Sequence, residues 1–272
     1  MRNRHLAFAF GLLASCAHGS AAAELVVGVA PLGKEVVASV DTGQFETGSF
    51  TSGNGTVIPY RLLRPSTLQA GTTYPLVIQL HGSGGISRDN SSQLDRLAKS
   101  WAMPEIRLHY PAYVLVPQFP ERSANYGPAS ADQHAQASPG LSAALELANE
   151  ITADNPVDST RIYALGFSMG GSAAWLLPTL QPDLLAAIVP ISGIAPADEH
   201  AAAFKSLPVL AMHGNADDEN PITADKRFVA AVLAAGGKQI QLREYEALPH
   251  APPADIHPGN WWRDWLFQQR RD

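Results

Sequence analysis

Ser168 lies at the centre of Gly166-Phe167-Ser168-Met169-Gly170, a G-x-S-x-G run. Before it comes the β-branched and aromatic stretch Arg161 to Leu165, and after it a run of small residues leading into Trp175-Leu176-Leu177. Strand, tight turn and helix in that order hold a serine hydroxyl out above the edge of a sheet, and the flanking glycines let strand and helix close around it. Such a hydroxyl is a poor nucleophile until a base takes its proton, and the base needs an acid to orient it and stabilise its charge. His250, in Ala247-Leu248-Pro249-His250-Ala251-Pro252-Pro253, is the expected base, with His257 its rival nearer the last helix. The expected acid is Asp217 in Val209 to Pro221, with Asp218 the immediate alternative. The loop His81-Gly82-Ser83-Gly84-Gly85 offers backbone that can approach a substrate closely. The N–H of Ser83 and that of Met169, next to the nucleophile, are the expected oxyanion donors. No G-K-S/T and no G-x-G-x-x-G occurs, so this loop does not read as a phosphate cradle.

These side chains need a scaffold that brings distant parts of the chain to one edge. Phe45 to Thr51 and Thr56 to Leu63 are strand-like runs joined by the hairpin signal Ser52-Gly53-Asn54-Gly55. Pro75 to Leu80 is almost continuously apolar, as expected of a strand buried on both faces of a parallel sheet. After it, helical patterns are expected at Ser91 to Trp101, Gly140 to Thr152, after Ser168, at Ala201 to Ser206, at Ala224 to Ala235 and from Trp261. Strands are expected between them at Ala112 to Val116, Arg161 to Leu165, Ala186 to Ser192, Val209 to Met212 and Ile240 to Tyr245. Glu24 to Gln44 has no clear period and reads as a lead-in. The alternation predicts an α/β fold: a mostly parallel central sheet, an antiparallel N-terminal pair, and helices on both faces.

In such a sheet ligands bind outside the carboxyl ends of the strands. His81, Gln118, Ser168, Asp217 or Asp218, and His250 all fall there. The connection Pro117 to Pro139 is longer than an ordinary sheet-to-helix loop and is expected to lie over or beside the site. No insertion is large enough for a separate lid domain. Trp261, Trp262, Trp265 and Leu266 sit at helical spacing after Asn260, read as an N-cap, and are expected to face the sheet rather than a membrane surface.

Composition narrows the class. Of 272 residues, 46% are hydrophobic and 16% charged, which suits a large core rather than disorder. Residues 1 to 23 read as an export signal, with Arg2 and Arg4, an apolar run from Leu6 to Ala14 and then Ala21-Ala22-Ala23, leaving 24–272 as one domain in the periplasm or outside the cell. The signal is too short to span a bilayer, and no transmembrane segment is expected in the mature protein. Removing its two arginines takes the formal charge from −6 to −8, which argues against nucleic acid or an anionic membrane as partner. The one cysteine, Cys16, closes Leu13-Ala14-Ser15-Cys16. That tetrapeptide resembles a bacterial lipobox, so a lipid anchor at Cys16 competes with plain cleavage after Ala23. No His or Cys cluster has metal-ligand spacing, and His213 with Asp217 makes too few ligands; neither metal nor cofactor is expected.

The stretches YPLVIQLHGSGG, YVLVPQFP, RIYALGFSMGG, HGNADDENP and WLFQQRR cover most of residues 58 to 272. On them the chain resembles the α/β-hydrolase superfamily, in its secreted-esterase and predicted-peptidase branch, near the dienelactone-hydrolase-like and polyhydroxybutyrate-depolymerase-like esterases. The order Ser168, Asp217, His250 is the α/β-hydrolase order and differs from the trypsin and subtilisin orders. The resemblance implies Ser168, Asp217 and His250 as triad and Ser83 and Met169 as oxyanion donors. It departs from the family pattern at Pro249, where a glycine usually precedes the histidine. The function expected is hydrolysis of small or soluble carboxylic esters through an acyl-enzyme. On the same triad the alternatives are a peptidase or a polyester or feruloyl esterase; from another class, a catalytically silent binding protein.

Overall fold

The computed structural model describes residues 23–130 and 132–271. The export signal, apart from Ala23, and Cys16 with its lipobox lie outside these residues. The strands are β1 (Ala23–Val26), β2 (Glu46–Thr51), β3 (Val57–Leu63), β4 (Tyr74–Leu80), β5 (Tyr113–Pro117), β6 (Ala124–Asn125), β7 (Gln136–Ala137), β8 (Val157–Phe167), β9 (Ala187–Ile191), β10 (Val209–Gly214) and β11 (Ile240–Tyr245). The helices are α1 (Arg96–Ser100), α2 (Pro104–His109), α3 (Pro139–Asp154), α4 (Met169–Leu180), α5 (Thr223–Ala234) and α6 (Asn260–Gln268).

One sheet takes nine of the strands in the order β1-β11-β10-β9-β8-β4-β5-β3-β2. The β2–β3 and β3–β5 pairs are antiparallel and the others parallel. This is the α/β-hydrolase architecture. Side chains alternate across the sheet as the two-residue period of a strand requires. Leu76, Ile78 and Leu80 of β4 and Ile162 and Ala164 of β8 face a core built with α3, α4 and α5. Val77, Tyr163 and Leu165 face a second core built with α1, α2 and α6. The nearly unbroken apolar runs of β4, β8 and β9 follow from this double burial.

Several local readings need correction. Helix α1 begins at Arg96 rather than Ser91, because the Asp89 carboxylate accepts the N–H groups of Ser91 and Ser92 and holds them in a turn. Asp95 then caps the helix, accepting the Ala98 N–H at 2.9 Å. Ala201 to Ser206 is not an α-helix; Asp198–Phe204 winds as 3₁₀ turns. The lead-in contains strand β1, which adds to β11 in parallel and is joined there by the Glu24–Arg243 ion pair at 3.2 Å. At α6 the capping position belongs to Gly259, in the left-handed region at φ +67°, and Asn260 is the first helical residue. Trp262 and Leu266 of that helix are buried in the second core.

Helix α4 is buried on nearly every side, from Met169 to Pro178. Its anchor is Trp175, in an aromatic trio with Phe204 and Phe228, ring centroids 5.8 and 5.5 Å away. Trp175→Ala would leave a cavity under the helix that follows Ser168. The expected cost is about 3–5 kcal/mol, read from the denaturant midpoint; a cost below about 1 kcal/mol would contradict this placement of the core.

Candidate active site

Five strands deliver side chains or backbone to the carboxyl edge of the sheet. Ser168 occupies the single residue between β8 and α4, at φ +58° and ψ −121°. Its N–H donates to the Ile191 carbonyl at the end of β9, 2.9 Å away. The turn can be this sharp because Gly170 has no side chain: a Cβ there would lie 2.1 Å from the Leu80 carbonyl oxygen of β4. Burial leaves Ser168 8% exposed, with the hydroxyl turned toward the loops after β10 and β11.

The serine hydroxyl donates to His250 Nε2 at 2.8 Å, and His250 Nδ1–H donates to Asp217 Oδ2 at 2.8 Å. His250 comes from the proline-rich loop after β11, its ring tilted on Phe167 with centroids 4.8 Å apart. Asp217 comes from the loop after β10, where its Oδ1 accepts the N–H groups of Glu219 at 3.1 Å and Asn220 at 2.8 Å. Burial alone would raise the Asp217 carboxyl. Hydrogen bonds from His213, His250 and the Asn220 N–H outweigh that and hold it well below the usual carboxylate range. Asp218 is exposed on the same loop, while His257 lies in the segment before α6, near Arg263 and Glu105. The structure therefore brings Ser168, His250 and Asp217 into one hydrogen-bonded line and leaves His257 and Asp218 out of it.

Ser83 opens a single 3₁₀ turn, Ser83–Gly85, directly after His81 and Gly82. A Cβ on Gly82 would stand 3.7 Å from Ser168 Cβ, so this loop borders Ser168. Ser83 and Met169 each begin a helical turn, and the N–H at such a position has no acceptor within its own helix. His81 was singled out by position without a role. Its buried ring accepts the Phe119 N–H on Nε2 at 3.0 Å and donates from Nδ1 to the Gly82 carbonyl at 2.7 Å. Burial pushes it down to about 4, so it is neutral, as that pair of bonds requires. Gln118 adds a second tie, accepting the Asn90 N–H at 2.6 Å and donating to Asp89 Oδ1 at 2.8 Å. Together they fix the loop carrying Ser83 to the start of the long 117–139 connection.

That connection folds as the β6–β7 ribbon, and Ala135 N–H donates to the Ala195 carbonyl past β9 at 3.0 Å. It encloses an open pocket of about 460 Å³ bordered by Asn125, Tyr126, Gln133 and His134, none of the three in-line residues being among its walls. Two further groups near the line escaped the sequence reading. Glu219 Oε2 stands 3.7 Å from His250 Nε2. His213, weighed only as a metal ligand, lies buried against Asp217 and Asp225. The sole hint in the chain was polar residues crowding the end of a strand. Among the described residues no group of three or more His, Cys, Asp or Glu could hold a metal ion, and no helix is long and apolar enough to cross a membrane.

A hydroxyl bonded to an imidazole that a carboxylate orients, with a helical turn starting in the bordering loop, is an arrangement that could carry out acyl transfer. Comparison with known proteins points the same way. Residues 70–255, well over half of the chain, match the family model of phospholipases and carboxylesterases. A curated relative, NocK of Nocardia uniformis subsp. tsuyamanensis, is named as a supposed esterase and is 26% identical over 201 residues, 66% of this chain and 56% of its own length. The crystal structure of a thermostable esterase superposes with TM-score 0.76 at 29% identity, covering 84% of this chain and 64% of that one. The chain thus spans less than two thirds of either relative. A dipeptidyl aminopeptidase IV relative from Bacteroides ovatus, at TM-score 0.60 and 15% identity over 83% of this chain and 36% of that one, shares the fold.

The tight packing under Ser168 generates a paired prediction. Gly170→Ala is expected to cost about 1–3 kcal/mol, because the new methyl must displace backbone. Gly84→Ala, whose Cβ would meet nothing within 4 Å, is expected to leave the melting temperature unchanged. Equal melting temperatures for the two would mean that the elbow is not sterically enforced.

Proposed function

Because the chain belongs to the phospholipase/carboxylesterase family of α/β-hydrolases, we propose that it is a serine hydrolase that cleaves carboxylic esters through an acyl-enzyme. The observation that carries this reading is the unbroken line Ser168–His250–Asp217, with both contacts at 2.8 Å. In the proposed cycle His250 Nε2 takes the serine proton as Oγ attacks the ester carbonyl, and ionised Asp217 stabilises the imidazolium that forms. The oxyanion is met by the N–H groups of Met169 and Ser83. His250 then returns the proton to the leaving alcohol, and water repeats the sequence on the acyl-serine. No cofactor enters this scheme.

The substrate side is read as a soluble small-molecule ester with a short acyl group. Gly193 to Ala201, the connection past β9, is short, and the 117–139 connection is tied down by His81 and Gln118 rather than standing as a lid over a lipid tunnel. Peptidase action is disfavoured in this reading, since an amide needs a poorer leaving group protonated in place and an extended cleft to hold the peptide. We further propose that the protein is exported, on the signal features of residues 1 to 23; N-terminal analysis of the processed protein, starting at Glu24 or at a lipidated Cys16, checks this, and an intact Met1 in the cytoplasm would refute it.

A fluorophosphonate probe is expected to label the wild type and not Ser168→Ala. Labelling that survives the substitution, or none in the wild type, would leave a silent binding protein as the better account. Along p-nitrophenyl esters from acetate to palmitate, turnover is expected to fall with chain length. Asp217→Asn is expected to lower kcat about 10⁴-fold, the scale seen when a triad acid loses its charge, with Asp218→Asn near wild type.

A further inference from the structure

The proposed cycle leaves unused a buried histidine directly behind the acid. His213 sits near the end of β10, and its side chain, like those of Asp217 and Asp225, is inaccessible to solvent. Its Nδ1 faces Asp225 Oδ2 of α5 at 2.8 Å. Its Nε2 faces the Asn220 carbonyl at 2.7 Å and Asp217 Oδ2 at 3.4 Å. A carbonyl oxygen only accepts, so Nε2 carries a hydrogen. Across the 2.8 Å contact a bare lone pair on Nδ1 would oppose an ionised Asp225 with no water to separate them, so with Asp225 ionised Nδ1 carries the second.

We infer that His213 is a resident imidazolium, kept charged by Asp225, and that this buried cation is a positioning residue for Asp217 and through it for His250. The line at the site then runs Ser168–His250–Asp217–His213–Asp225. The rate consequences rest on the esterase reading; the charge state does not.

Two effects follow from the placement. The cation lies against the same Asp217 oxygen that receives His250 Nδ1–H, favouring the ionised carboxylate and moderating the basicity it lends to His250. It also holds the acid loop, because Asn220, whose carbonyl it engages, donates its N–H to Asp217 Oδ1 and its Nδ2 to the Ser192 carbonyl, each at 2.8 Å. The remaining charges around it are Glu244 of β11, paired with Lys226 of α5 at 2.6 Å, Glu219 at the exposed rim of the loop, and His250 beyond Asp217. Burial alone would lower the His213 ring; attraction to Asp225 and the bonds to Asp217, Asp225 and Asn220 outweigh it and raise it to about 9 from 6.5. A raised value means that the stabilisation is complete below pH 6.5 and is lost as pH climbs through about 9.

Two variants separate charge from shape. In Asp225→Asn the amide can donate to Nδ1 of a neutral His213, preserving both ring contacts while removing the charge. His213→Gln keeps a donor for Asn220. Each is expected to lower kcat on p-nitrophenyl acetate about tenfold with KM within about twofold. The acidic limb of kcat/KM should move to higher pH, since His250 becomes more basic, and the wild-type fall near pH 9 should vanish in Asp225→Asn. Nitrogen-15 NMR of Ser168→Ala at pH 8 should show two protonated ring nitrogens on His213, assigned through couplings to its own backbone. Wild-type kcat and pH profile in both variants, with only the melting temperature lowered, would overturn the positioning role. A single protonated nitrogen at pH 8 would overturn the charge. Should the variants not fold, the wild-type alkaline limb and the Ser168→Ala spectrum decide alone. A wild type that neither hydrolyses esters nor takes the fluorophosphonate refutes the esterase reading and the positioning role with it, while the spectrum still decides the charge.

Discussion

Holding a serine at φ +58° and ψ −121° costs on the order of 1–3 kcal/mol, and the rest of the site is organised around meeting that cost. Two strand ends and a helix share the task. The Ile191 carbonyl of β9 takes the Ser168 N–H, the Leu80 carbonyl of β4 fills the space beside Gly170, and α4 buries its first turns in the first core. None of these restraints works unless β4, β8 and β9 end at matching height. Their parallel register supplies this, pairing Leu80 with Gly166 and Ile191 with Phe167. The strain at Ser168 is thus a property of the sheet rather than of the turn.

Asp217 and His250 depend on a different coupling, between two neighbouring loops. Asn215 N–H donates to the Tyr245 carbonyl, Ala216 N–H to the Leu248 carbonyl, and Ala247 N–H to Asn215 Oδ1, at 2.9, 3.2 and 2.8 Å. These cross-links make the loop bearing Asp217 and the loop bearing His250 one body, so that their 2.8 Å contact does not depend on two independently flexible segments. Charge placement adds to the same end. Asp217 is ionised because donors converge on it, and His81 is neutral because its surroundings offer one acceptor and one donor.

How much of this was readable in the chain follows from how local each signal is. The elbow was legible because its geometry is written in consecutive residues, as was the double-sided burial of β4, written as an unbroken apolar run. The position of β1 was not, since four residues at a sheet edge with exposed side chains carry no alternation to detect. The late start of α1 depended on which of two nearby aspartates capped the helix, Asp89 holding the serine N–H groups in a turn and Asp95 capping at Ala98, a choice between similar side chains. At the site, residue type and strand-end position pointed to Ser168, Asp217 and His250. The work of His81, His213 and Asp225 stayed hidden because each acts across a gap of many residues, through partners such as Phe119 and Asn220 that bring no chemistry of their own.

The segment after β1 does more than extend the sheet. Leu32 N–H donates to the Pro252 carbonyl and Ala254 N–H to the Ala30 carbonyl, both at 2.8 Å, while Glu246 N–H donates to the Val26 carbonyl at 2.9 Å. The first described stretch of the chain therefore braces both sides of the loop that presents His250. These partners lie more than 200 residues apart in the chain, and closing such a long loop is an entropically late event. The elbow around Ser168 can form from neighbouring segments well before the imidazole has anything to lean on. In folding, then, the turn at Ser168 is shaped early and its link to His250 is made last.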